Sequence, residues 1–217
     1  MRALLFGLAF ATLCITPSVA ALKVGAIVPD FTATASLGGK EFKFHLYEAL
    51  KKGPVVVYFY PSAYTQGCDL EAHTFADNSG RFKEVDASII GVSGDNLERL
   101  NRFSADPNFC AGKFPIAADE TLRIASAYGL ATRRAVSGVK DVNGALVAHG
   151  LIERVTFVVD QNRRIVAAMS SRNDVSQKIN QMVARSRTGR DEDALTPDQH
   201  VQRSLEIVRA LRKHPGQ

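Results

Sequence analysis

Residues Val55 to Tyr60 form an unbroken run of β-branched and aromatic side chains, Val-Val-Val-Tyr-Phe-Tyr, bounded by Gly53-Pro54 and by Pro61. A strand with one solvated face alternates apolar and polar residues, whereas a run that is apolar at every position needs cover on both faces. The chain must therefore place this strand inside a sheet and pack other elements on both sides of it. The flanking pattern supplies those elements. Phe31–Ala35 and Phe42–Leu46 alternate around Gly38-Gly39 and predict a hairpin. Strands are predicted at 87–92, 114–116, 155–159 and 164–169, the last two joined by Asp160-Gln161-Asn162-Arg163. Helices are predicted after Pro61, at 96–103 and at 120–128, with Gly129 closing the third. Asp95 with Glu98 gives the second a capping-box start. Residues 131–150 read as a loop with one short hairpin. Val175, Ile179, Met182 and Val183 fall at helical spacing. Thr196-Pro197-Asp198-Gln199 opens a final helix whose apolar stripe is Val201, Leu205, Val208 and Leu211. The expected fold class is α/β: a central mixed β-sheet flanked by helices, with an N-terminal hairpin and an extended C-terminal helical segment.

The first residues follow a different logic. Arg2, an apolar stretch from Ala3 to Ile15, then Pro17 and small residues to Ala21 form the pattern of a cleaved secretory signal peptide. The stretch is short for a membrane span, which needs roughly 20 apolar residues. Leu13 stands before Cys14 where a lipoprotein anchor usually carries a small residue. The expected organisation is a signal peptide at 1–20, a domain at 22–184, and a linker with a C-terminal helix at 185–217 that either docks on the domain or joins an oligomer interface. Periplasmic location and no stable membrane association follow from that reading. Cleavage removes Cys14 and leaves Cys68 and Cys110, which in an exported protein tend to pair. Of the 217 residues, 27 are Lys or Arg and 22 are Asp or Glu, a formal net charge of +5. The excess lies in scattered pairs such as Lys51-Lys52 and Arg163-Arg164, not in a stripe interleaved with aromatics, and it excludes a nucleic-acid module.

Chemistry concentrates in Tyr60-Pro61-Ser62-Ala63-Tyr64-Thr65-Gln66-Gly67-Cys68-Asp69-Leu70-Glu71. A buried strand ends at Pro61, and a tight loop delivers Cys68 to the first turn of a helix. Unpaired N–H groups and the positive end of the helix dipole favour an anion there. A thiol so placed loses its proton more readily, and the thiolate is the nucleophile. Thr65 can set its hydroxyl beside the sulfur, and Gly67 lets backbone amides approach a small ligand.

This segment resembles the active-site loop of the peroxiredoxins, the alkyl hydroperoxide reductase and thiol-specific antioxidant family. Pro61, Thr65 and Cys68 match its Pro-x-x-x-Thr-x-x-Cys pattern, and Thr-x-Gly-Cys after Phe59-Tyr60-Pro61 looks most like the Q-type, bacterioferritin comigratory branch. Glu71 stands where the family has Glu or Gln, Pro29-Asp30-Phe31 matches its opening, and Arg154–Asp160 looks like the strand carrying its active-site arginine. The resemblance implies a thioredoxin-like fold, no cofactor and no metal. It makes Cys68 the peroxidatic cysteine, with Thr65 holding peroxide and thiolate, Arg154 stabilising charge, and Pro61 covering the site. The amides of Gly67 and Cys68 would complete the donors. Arg123, Arg133, Arg134 and Arg172 compete with Arg154 for its role. Many Q-type members carry a resolving cysteine five residues after the first; here that position is His73. Cys110 then becomes the resolving cysteine, and pairing would require local unwinding; a one-cysteine route through an external thiol, or an unrelated buried thiol at 110, remain open. The implied partners are a peroxide and a thioredoxin-like or glutathione-dependent reductant, with the protein a monomer or homodimer.

Two other functions fit parts of the pattern. An exported thiol–disulfide oxidoreductase would carry Cys-x-x-Cys after the same strand, but positions 65 and 71 are Thr and Glu. A non-enzymatic domain would hold Cys68 and Cys110 in an inert disulfide. His45, His149, His200 and His214 show no ligand-like spacing with the cysteines.

Overall fold

The computed structural model describes residues 21–171 and 195–213. The elements run β1 (Thr32–Leu37), β2 (Lys40–His45), α1 (Leu46–Leu50), β3 (Val55–Phe59), α2 (Gln66–Lys83), β4 (Ser88–Ser93), α3 (Leu97–Ala105), β5 (Ile116–Ala118), α4 (Arg123–Ala127), β6 (Thr132–Arg133), β7 (Leu151–Ile152), β8 (Val155–Val159), β9 (Ile165–Ser170) and α5 (Pro197–Lys213). Seven strands form one mixed sheet in the order β2-β1-β5-β4-β3-β8-β9, and β6 pairs with β7 beside it. The apolar run lies inside this sheet. β3 is parallel to β4, with Val57 opposite Ile90, and antiparallel to β8, with Val57 opposite Phe157.

All five β3 side chains are fully buried. Val56 and Tyr58, with Tyr60 just beyond the strand, face a cluster built from α2, α3 and α5. Val55, Val57 and Phe59 face the opposite cluster, with Leu46 and Leu50 of α1, Ala125 of α4 and Tyr128. Each large apolar side chain so enclosed contributes about 1.5–3 kcal/mol relative to exposure. The two-sided cover required by the sequence is therefore present as three layers.

Helix α2 turns one face to the sheet through Cys68, Glu71, Ala72, Phe75, Ser79 and Phe82, the three- and four-residue spacing of a single helical stripe. Phe75 stacks on Tyr58 at 4.7 Å between ring centroids. Cys68 and Glu71 thus share the inward face one turn apart. Helix α5 packs on α2, burying Val201, Leu205 and Val208.

Three expectations need correction. Asp95 is not the cap of α3; Asn96 is, its side chain accepting the Arg99 N–H at 2.9 Å. Asp95 is buried and bonded elsewhere. The helix expected over 120–128 is confined to Arg123–Ala127, because Leu122 takes a left-handed conformation, φ 58°. The Asp119 carboxylate then accepts the Ile124 and Ala125 N–H groups from outside the helix. The strand expected at 114–116 lies at Ile116–Ala118, aligned with Gly91–Ser93 of β4. The signal-peptide residues, the helical spacing at 175–183 and Arg172 lie outside the described residues.

Candidate active site

Pro61 lies two residues past the end of β3, after Tyr60, and is half-buried. The loop then holds Tyr64 at φ 57°, a conformation that costs a non-glycine residue energy and persists only when its surroundings enforce it. Its ring packs edge-on against Phe103 at 5.0 Å and Phe109 at 5.4 Å, beneath the Arg99 guanidinium at 5.3 Å. Its carbonyl accepts the Val142 N–H at 3.0 Å. Thr65 is the N-cap residue of α2, but its hydroxyl donates to the Ser62 carbonyl at 2.7 Å instead of capping the helix. The first helical bond is Asp69 N–H to Thr65 O, 2.8 Å. The N–H groups of Gly67 and Cys68 therefore stand outside the helical ladder, at the positive end of α2.

Cys68 is a free thiol only 2% exposed. Arg154, immediately before β8, donates from Nη2 to its sulfur at 3.1 Å. The other arm of the guanidinium, Nη1, binds Glu71 Oε2, and both side chains of this pair are buried. The fork of Arg154 thus spans a thiol and a carboxylate carried one turn apart on α2. Burial pushes the Cys68 thiol above its ordinary value; Arg154, Thr65 and the Ser62 backbone N–H pull it back without overcoming that effect. The sequence reading named Thr65 and Arg154 but not the Ser62 N–H, and it left out the desolvation that opposes all three.

Behind Arg154 the polar chain continues. Thr156 Oγ1 lies 3.4 Å from Glu71 Oε1 and 2.8 Å from His200 Nδ1. His200 Nε2 is 3.0 Å from Ser171 Oγ, which donates to the Leu195 carbonyl at 2.5 Å. Glu71, Thr156 and His200 are fully buried.

A second buried network fixes the loop from the other side. Asp95 accepts from Ser62 Oγ at 3.0 Å, Ala63 N–H at 2.8 Å and Ser93 Oγ at 2.8 Å. It also pairs with Arg99 Nε at 2.9 Å and His149 Nε2 at 2.7 Å. Arg99 reaches on to the Ala63 carbonyl and to Asp141, each at 2.6 Å. His149 Nδ1 faces the Gly150 carbonyl at 2.9 Å, so both ring nitrogens meet acceptors and the imidazolium form satisfies both. Burial opposes that charge, but Asp95 outweighs it and raises the His149 pKa.

Of the residues singled out in sequence, Cys68, Thr65 and Arg154 come together. Arg123, Arg133 and Arg134 are exposed. His73 is an exposed residue of α2 paired with Asp77 at 3.4 Å. Cys110 is also a free, fully buried thiol, in the turns after α3, and belongs to the same apolar cluster as Cys68. Sequence reasoning missed Thr156, His200 and the Asp95–Arg99–Asp141–His149 network. The helical spacing of Cys68 and Glu71 was the one local signal available for the carboxylate.

The comparisons agree with this geometry. Residues 24–168 match the profile described as the AhpC/TSA family. The chain belongs to that family: it is a peroxiredoxin, a thiol peroxidase. Within the family it sits with the Bcp, or Q-type, proteins. It is 35% identical to peroxiredoxin Bcp of Bacillus subtilis over 145 residues, 67% of this chain and 83% of that one. It is 28% identical to peroxiredoxin Bcp of Escherichia coli over 144 residues, 66% and 83% of the two chains. The crystal structure of peroxidoxin BcpB from Mycobacterium tuberculosis superposes with a TM-score of 0.64 at 26% identity, covering 88% of this chain and 98% of that one. These neighbours share the thioredoxin-like fold.

Proposed function

We propose that Cys68 is the peroxidatic nucleophile and that Cys110 resolves its oxidised form. The Cys68 thiolate attacks the distal oxygen of a hydroperoxide; an S–O bond forms, the O–O bond breaks, and the departing alkoxide or hydroxide takes up a proton. Sulfur is oxidised to a sulfenic acid and the peroxide is reduced to an alcohol or water. Arg154 and the N–H groups of Gly67 and Cys68 stabilise the charge on the departing oxygen. Thr65 turns its hydroxyl from Ser62 to the thiolate or the bound peroxide, and Pro61 covers the pocket mouth. The Cys110 thiol then attacks the Cys68 sulfur and water leaves, giving a disulfide that a thioredoxin-like or glutathione-dependent donor reduces. The leader-like residues 1–20 direct the chain to the periplasm in this reading.

The observation that carries the assignment is the Arg154 Nη2 contact of 3.1 Å with a thiol at the start of α2. Support for Cys110 comes from its place in the same apolar cluster as Cys68, on one face of the sheet. A disulfide holds its two Cα atoms within about 7 Å, and in this reading the segments carrying the two buried thiols unwind locally before the sulfurs meet. The test is intact mass and peptide mapping of the reduced protein after one equivalent of hydrogen peroxide. Loss of two hydrogens with a Cys68–Cys110 linkage is the expected result. Oxygen addition confined to Cys68 would remove Cys110 from the mechanism, and no reaction at Cys68 with hydrogen peroxide or an organic hydroperoxide would overturn the assignment.

A further inference from the structure

Helix α5 begins beyond residue 168, where the match to the family profile ends. Yet it places a fully buried histidine against the polar chain behind Cys68. The proton bookkeeping around that histidine is constrained. Ser171 has one hydroxyl proton, and the Leu195 carbonyl 2.5 Å away can only accept it. Ser171 Oγ therefore accepts from His200 Nε2–H, 3.0 Å away. On its other edge the ring meets the Thr156 hydroxyl at 2.8 Å, and Nδ1 lies 3.6 Å from Glu71 Oε1. The imidazole is itself anchored: its helix buries Val201, Leu205 and Val208 against α2, and Ser204 donates to the His200 carbonyl at 2.7 Å.

Glu71 carries three rotatable bonds, and a guanidinium follows the carboxylate that grips it. Arg154 binds Glu71 through Nη1 and Cys68 through Nη2, so the orientation of the carboxylate bears directly on where the second arm lies relative to the sulfur. Arg154 Nη1 binds Glu71 Oε2, and Glu71 Oε1 faces Thr156 and His200. We propose that His200 is a positioning residue of the peroxidatic centre: through Thr156 and Glu71 it holds the Arg154 guanidinium against Cys68, which makes the C-terminal helix a component of the site. The inference rests on Cys68 being the peroxidatic thiol.

The experiment uses the full chain carrying His200→Gln, Thr156→Val, or both. Two quantities are measured: the pH profile of iodoacetamide alkylation mapped to Cys68, and the rate constant for hydrogen peroxide. Each single variant is expected to move the alkylation midpoint up by about one pH unit, a roughly tenfold smaller thiolate population, with a matching loss in the peroxide rate constant. The double variant should lose no more than either single, because both act along one chain. Thermal melts accompany each protein, since a purely structural histidine would lower the melting temperature and leave the Cys68 profile in place. A folded His200→Gln protein with the parental profile overturns the proposal, as do losses that multiply in the double variant. Should His200→Gln fail to fold, Thr156→Val decides alone: an unchanged Cys68 profile in it is a refutation. A wild-type protein that alkylates normally but ignores peroxide would sink the peroxidatic assignment, while the alkylation profiles would still report on positioning.

Discussion

Replacing Asp95 by alanine removes the centre of the network that holds the loop between β3 and α2. Five groups converge on this carboxylate, from Ser62, Ala63, Ser93, Arg99 and His149. Its side chain is fully enclosed, and those of Arg99 and His149 are only 11% and 21% exposed. Arg99 keeps Asp141 and the Ala63 carbonyl, but His149 loses its anion and the Ala63 N–H loses its acceptor. Breaking a buried pair by removing one partner costs about 3–5 kcal/mol. For a domain of this size that lowers the melting temperature by about 6–20 °C. The sign of the pH dependence follows from two opposed shifts. Burial would raise the Asp95 carboxyl, but His149, Ala63 and Ser93 together hold it below its ordinary value. Its contribution is therefore present above an unfolded pKa of about 3.9 and lost as pH falls through the folded value. His149 is raised, so its contribution is present below about 6.5 and lost as pH rises through its folded value. The gap between wild type and Asp95→Ala should be widest near pH 5–6 in melts followed by far-ultraviolet circular dichroism. Because Ser62 and Ala63 lead directly into Thr65 and Cys68, the peroxide rate constant should fall as well. A melting temperature within about 2 °C of wild type, less than 1 kcal/mol for such a domain, would refute the reasoning.

Four further outcomes are expected. Burial keeps the Cys68 thiol above its ordinary value, so the thiolate is the minor form at neutral pH and the peroxide rate should climb with pH through the neutral range; a flat profile above pH 6 would contradict this. Burial and the nearby Asp141 push the Asp69 carboxyl up to about 7. Its folded value exceeds its unfolded one, so ionisation costs stability progressively from about pH 4 to 7, and Asp69→Asn should raise the melting temperature at pH 8 but not at pH 4. A methyl group at Gly94 would lie 2.3 Å from the Gly150 carbonyl oxygen and 3.0 Å from Leu122 Cδ2, so Gly94→Ala should cost about 1–3 kcal/mol by urea unfolding. Cys110→Ser should abolish the intramolecular linkage on non-reducing peptide maps and leave oxygen on Cys68 after peroxide treatment, while the first oxidation proceeds at the parental rate.

Much of the fold was determined by the sequence because its signals are local. Six apolar residues in a row demanded cover on both faces, and β3 lies inside the sheet with both faces covered. The glycine pair at 38–39 placed a turn, and both residues have positive φ. Cys68 in the first turn of a helix, with Thr65 ahead of it, followed from spacing, and the resemblance pointed to Arg154. Tertiary structure decided what spacing does not encode. Asp95 and Glu98 carry the wording of a helix start, but a carboxylate buried among Arg99, His149 and three donors from the loop after β3 and the end of β4 gains more there than at a cap, which Asn96 takes instead. Whether a thiol beside an arginine ionises readily depends on how completely water is excluded, and at 2% exposure desolvation outweighs the favourable partners. His200 lies 132 positions from Cys68 in the sequence. Only the packing of α5 on α2 sets it behind Glu71, because burying the stripe of Val201, Leu205 and Val208 fixes which face of that helix, and so which polar residue, turns toward the site.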